Sequence, residues 1–218
     1  MSKTIYYSIH KGDLTDDRAF KEAERKIVDV LNDPNGWAKY GYKFIYVNDD
    51  GYVVPDLLNI YFKTNTNMIK TFGYRIARLS CYVPSEHAIY FNIENWNGGS
   101  ASTLSVDRYR TYVVNHEVGH ALGLDHAKCP TNSCAANPSH PNASSGCKGS
   151  VMQQMSKGPG HVYPCIENEY PLDPEYFDEM HSIRIDGGDD TDLTGIDKYL
   201  LPTLFSIFGG CMMLLSAI

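Results

Sequence analysis

His116-Glu117-Val118-Gly119-His120-Ala121-Leu122-Gly123-Leu124-Asp125-His126 has the form H-E-x-x-H-x-x-G-x-x-H. On a helix, residues i and i+4 share a face, so His116 and His120 can point ring nitrogens at one metal ion. Gly123 tolerates the left-handed backbone that stops a helix and turns the chain, which returns His126 as a third ligand. Three protein ligands leave a fourth position open for water, the arrangement of a catalytic zinc site. Glu117 follows the first ligand directly and need not bind metal. It is the candidate general base toward a zinc-activated water, and then the proton donor to a leaving amine. The alternative is a helix carrying solvated histidines, and fixing Gly123 and His126 as well as the first three positions argues against it.

Outward from this stretch, Val106 to Leu122 reads as one helix, ended by Gly123. Before it, Lys3 to His10 alternates as a strand. A helix follows, with Thr15 as its cap and Phe20, Ala23, Ile27 and Leu31 along one face. The breaker Asn32-Asp33-Pro34-Asn35-Gly36 ends that helix. Strands are expected near Lys43–Val47, Leu57–Lys63 and Ala88–Ile93, with a turn at Asp49-Asp50-Gly51 and a further extended stretch at Ser80-Cys81-Tyr82. Ala127 to Pro164, rich in Pro, Ser, Asn, Gly and Cys, should be irregular, and Pro171 to His181 is a candidate third helix.

The 218 residues leave room for one catalytic domain, and 43% hydrophobic residues exclude a disordered chain. A net charge of −7 without a basic face excludes nucleic acid as a partner. The expected organisation is a catalytic domain over residues 1–182, an acidic linker over 183–198 and an apolar segment over 199–218. That last segment, Tyr199 to Ile218, holds no charged residue and is long enough to cross a bilayer as a single C-terminal anchor. Packing back on the domain as an apolar helix is the alternative, and Pro202 with Gly209-Gly210 points that way. The opening MSKTIYYSIHKGD has no apolar signal region. The side of the membrane that holds the domain stays open: Cys129, Cys134, Cys147, Cys165 and the sequon Asn142-Ala143-Ser144 suit an oxidising lumen, whereas an anchor without a signal suits the cytosol.

These residues resemble the metzincin clan of zinc metalloproteases, and more closely an uncharacterised domain family of actinobacterial type with the same signature. Asp33-Pro34-Asn35-Gly36-Trp37 is similar to that family's D-P-R-G-W. The run from Tyr109-Arg110 through Tyr112-Val113-Val114-Asn115 to His120 is similar to its Y-R-x-Y-V-V-N-H-E-V-G-H, and Cys129-Pro130 and Val151-Met152-Gln153-Gln154 recur in the same order. The resemblance covers roughly Lys3 to Asp173. It implies an α+β, metzincin/zincin-like fold: a twisted mixed sheet with two long helices, one carrying H-E-x-x-H. To this the chain adds its C-terminal apolar helix. It also implies one catalytic Zn2+ and hydrolysis of peptide or protein substrates. A clan member needs a methionine turn beneath the metal, for which Met152 is favoured over Met155. Trp37 and Asn115 are structural in that reading.

The chain departs from the family in Thr131–Lys148, which looks like an insertion, and in having no propeptide with a cysteine switch. Within this frame the candidate disulfides are Cys129 with Cys165 and Cys134 with Cys147. Asp125 is either a hydrogen-bond partner of a ligand imidazole or a solvated turn residue. Tyr163 is a minor candidate for the metal or the oxyanion, and His10, His87, His140 and His181 have no ligand spacing. The expected function is a membrane-tethered zinc endopeptidase. The alternative is a catalytically silent, zinc-stabilised binding module at a membrane, against which the presence of Glu117 argues.

Overall fold

The structure is a computed structural model that describes residues 3–48, 54–74, 79–99, 104–127, 148–154 and 165–172. The elements in chain order are β1 (Lys3–His10), α1 (Asp17–Leu31), β2 (Tyr42–Tyr46), β3 (Leu58–Lys63), α2 (Asn65–Phe72), β4 (Cys81–Val83), β5 (Ala88–Asn92), α3 (Ile93–Gly98) and α4 (Val106–Ala121). The strands form one five-stranded sheet in the order β2-β1-β3-β5-β4. The first three pairings are parallel, and β4 alone runs antiparallel, against β5. The chain is therefore an α+β protein with a mixed sheet, and α1 and α4 are its long helices among the described residues.

The alternation of side chains along each strand divides the sheet into two faces. Ile9, Ile60 and Ile89 stand side by side in the register of β1, β3 and β5. With Tyr7, Leu58, Phe62 and Phe91 they form the face that packs against Ala23, Ile27, Val30 and Leu31 of α1 and against Val113, Val114 and Val118 of α4. Ser8, Asn59, Tyr61 and Tyr90 lie one residue out of phase, so their side chains take the opposite face. There His10, Tyr61 and Tyr90 stack ring on ring, with centroids 4.5 and 5.3 Å apart.

The cap of α1 is Asp16 rather than the expected Thr15. Its carboxylate accepts from the N–H groups of Arg18 and Ala19 at 2.7 and 3.1 Å, satisfying two donors that a helix start leaves unpaired. The expected strands appear within a residue or two of their boundaries, and Lys3–His10 matches throughout. Two short helices, α2 and α3, were not anticipated. Thr64 caps α2 by accepting from Asn67, and Asn92 caps α3 by accepting from Asn95. The turn at 49–51, the helix over 171–181, the acidic linker and the apolar segment 199–218 lie wholly or largely outside the described residues. Among the described residues no helix is long and apolar enough to cross a membrane.

Candidate metal centre

Helix α4 starts at the cap Ser105, whose hydroxyl accepts from Arg108 N–H, and Lys26 of α1 pairs with Asp107 at 2.8 Å. From Thr111 to His120 every residue is buried. Such a helix cannot leave its polar side chains to solvent, so each needs a local purpose. Asn115 donates from its side chain to the Glu169 carbonyl at 2.9 Å. His116, Glu117 and His120 turn toward a small cleft bounded by β4 on one side and Tyr109, Tyr112 and Val113 on the other. The cleft volume is about 20 Å3, room for little more than a water-sized group.

The end of α4 brings the third histidine round. Gly123 takes φ +92°, donates to the His120 carbonyl at 2.9 Å, and Leu124 N–H donates to the Gly119 carbonyl at 3.0 Å. These two bonds are the paired closure of a Schellman motif, which needs a residue free of the left-handed penalty at Gly123. The chain then reverses, and His126 arrives beside the other two imidazoles. Ring centroids are 4.8 Å (His116 to His120), 5.2 Å (His116 to His126) and 4.8 Å (His120 to His126) apart.

One potential ligand atom from each of His116, His120 and His126 lies within 4.8 Å of the others, so the group could hold a metal ion. The hydrogen bonds fit that use. His116 Nδ1 lies 2.7 Å from the Val151 carbonyl, and His120 Nδ1 lies 2.7 Å from the Leu124 carbonyl. A carbonyl oxygen only accepts, so each Nδ1 carries the proton and each Nε2 keeps its lone pair for the metal. Burial, followed by the neighbouring His120 and His126, holds His116 well below the ordinary histidine range, and hence neutral.

Glu117 is 4% exposed. Burial pushes its carboxyl up to about 8, and a hydrogen bond from the backbone of Tyr82 in β4 partly opposes that rise. A carboxyl that titrates near neutrality beside the His116, His120 and His126 rings is suited to take and return a proton. The Tyr82 contact also ties Glu117 to the edge strand of the sheet.

Met152 lies fully buried in the turn Ser150–Gln153, closed by Gln153 N–H to the Ser150 carbonyl at 2.9 Å. A Cβ built on Gly119 would meet Met152 Sδ at 2.2 Å and Trp37 Cζ2 at 3.0 Å, so the sulfur presses against α4 between His116 and His120. The Met152 carbonyl accepts from Ala127 N–H at 3.0 Å, which anchors the chain directly after His126. Tyr112 donates to the Gln153 carbonyl at 3.0 Å. Asp125 is half-buried in the turn.

Among the described residues no cysteine is free, and Cys81 and Cys165 are each disulfide-bonded. Cys129, Cys134, Cys147, Met155, Tyr163 and the sequon lie outside the described residues. The tyrosine contacts and the two backbone acceptors of the histidines were not anticipated. The carbonyls of Val151 and Leu124 leave no residue-type signature, and Tyr82 acts through its main chain.

Residues 5–139 match the model of a family described as a protein of unknown function, DUF3152. The chain belongs to this family. No curated protein matches it. Two solved structures of myroilysin are similar to it. The first is 17% identical with a TM-score of 0.34, over 60% of this chain and 48% of that one. The second is 15% identical with a TM-score of 0.41, over 83% of this chain and 79% of that one. The chain thus spans about half the length of the first. What this DUF3152 member can do chemically rests on the groups of the centre itself.

Proposed function

We propose that this DUF3152 member is a zinc-dependent endopeptidase of metzincin type. The observation that carries the proposal is a buried carboxyl, Glu117, set beside His116, His120 and His126, two of which are locked in the tautomer that leaves Nε2 free. A structural metal site has no use for such a group, and burying a carboxyl that makes no ion pair among the described residues is costly. When bound, the metal would polarise the scissile carbonyl and acidify a water.

The chain's own residues do the rest. Val151 and Leu124 hold the two imidazoles in place through their carbonyls. Glu117 takes a proton from the attacking water at its carboxylate and delivers it to the leaving nitrogen. β4 ends the sheet, and an extended peptide can add to its outer edge, next to Glu117. Tethering through residues 199–218 is part of the same proposal and rests on their apolar run.

Zinc content and cleavage of a peptide library by the full-length chain test this reading. One zinc per chain, with cleavage lost on chelation and restored by zinc, is the expected result. One zinc without cleavage would favour the silent binding module, and no zinc would sink both. Flotation with lipid vesicles reads the tether: a chain that stays at the bottom of the gradient has none.

A further inference from the structure

We propose that Trp37 is a positioning residue for the metal centre, a role that rests on the metal-binding reading above. Trp37 opens the short 3-10 helix Trp37–Tyr40 that follows the turn after α1, and it is 2% exposed. Its indole Nε1–H donates to the Asn115 carbonyl at 2.9 Å, across 78 residues of sequence. Asn115 immediately precedes His116, and inside a helix its carbonyl also faces the N–H of residue 119. The indole therefore grips the backbone of α4 on the turn that carries both His116 and His120.

The ring reaches that far because residue 119 has no side chain. Trp37 Cζ2 and Met152 Sδ both occupy the space a Cβ at Gly119 would need. Val151, next to Met152, accepts from the His116 ring. Trp37, Met152 and the Val151 carbonyl thus converge on the turn of α4 that carries His116 and His120, and Trp37 is the member supplied from the N-terminal half of the chain.

The turn that presents Trp37 is itself fixed. Gly36 N–H donates to the Asp33 carbonyl at 2.9 Å, Asn35 N–H donates to the Asp33 carboxylate at 2.8 Å, and Tyr170 donates to the same carboxylate at 2.8 Å. Asn115 binds the neighbouring Glu169 carbonyl. The segment after the methionine turn therefore holds both the wedge and the helix it enters. Any buried indole N–H needs an acceptor, and this one takes the carbonyl of the residue directly before His116.

The test compares Trp37→Phe with Trp96→Phe in the full-length chain. Trp96 is buried in the same core but packs on Phe62 and Phe91. Zinc affinity is measured by chelator competition, and the ligand field by the visible spectrum of the Co2+-loaded protein. Trp37→Phe should weaken zinc binding by about tenfold, at the lower end for groups behind a ligand, and shift the Co2+ bands. Trp96→Phe should lower the melting temperature and leave both readouts at parent values. Parent-like affinity and spectrum in Trp37→Phe would overturn the proposal, as would equal changes in the two variants. If Trp37→Phe does not fold, Trp37→Tyr is read in the same way. A parent that binds no metal defeats the functional reading itself, and that failure shows before any variant is compared.

Discussion

Glu117→Gln should keep its zinc and cleave peptides about a thousandfold more slowly than the parent, within the range typical for loss of a general base. Glutamine has nearly the volume of glutamate and can still accept the hydrogen bond from the Tyr82 backbone. It cannot take a proton from water at neutral pH. The three imidazoles are untouched, and the bonds from His116 to Val151 and from His120 to Leu124 remain. A thousandfold loss corresponds to about 4 kcal/mol of transition-state stabilisation. The measurement is kcat/KM on a cleaved library peptide together with zinc per chain in the same preparation. If the variant cleaves at the parent rate with one zinc bound, Glu117 is not the base. If zinc is lost as well, the variant has disturbed the centre and the rate says nothing about proton transfer.

How much of this centre could be read from residues alone follows from where its restraints lie in the chain. His116, Glu117, His120 and His126 were legible because helix period and one glycine turn bring them together within eleven positions. The turn is local too: Gly119, His120, Gly123 and Leu124 close it with their own backbones. What holds the rings is less visible. Leu124 and Val151 act through carbonyls, which any residue type supplies. Trp37 carries a distinctive side chain, yet its partner is 78 residues away, and no local pattern links them.

The fold shows the same division. The sequence of β1 alternates, Ile5, Tyr7 and Ile9 against Thr4, Tyr6, Ser8 and His10, so its ends were readable to the residue, although Ser8 is buried as well. α2 has a single fully buried residue, Met68, and only eight residues over which a stripe of Met68 and Phe72 can register. Its start is fixed by Asp13, whose carboxylate accepts from Thr64 N–H at 2.9 Å and from the Asn67 side chain at 2.8 Å. That support comes from the loop after β1, more than fifty residues upstream, where periodicity cannot register it. Thr15 lost the cap to Asp16 by one position, the ordinary uncertainty of a helix end.

The metal-free protein should lose stability as pH rises from 6.5 to 8, and Glu117→Gln should remove that loss. The Glu117 carboxyl has an ordinary value of 4.5 and titrates at about 8 in the fold because burial disfavours its charge. Between those values the unfolded chain releases the proton while the folded chain retains it. The unfolded state then binds fewer protons, and stability falls with rising pH. Over the whole window the ceiling is on the order of 5 kcal/mol, at about 1.4 kcal/mol per pH unit. His116 acts in the opposite sense, because its folded value is depressed: it adds stability as pH rises, but only up to its ordinary value of 6.5. Asp13, Asp33 and Glu169 are lowered, so they weaken the fold only on the acid side. Between pH 6.5 and 8 Glu117 therefore stands out, with a loss of about 2 kcal/mol. Urea unfolding in chelator at those two pH values measures it. A parent as flat as Glu117→Gln would mean that the buried carboxyl ionises freely in the fold. Zinc should shrink the slope, since a cation beside the carboxylate favours its charged form and so lowers the folded value toward 4.5.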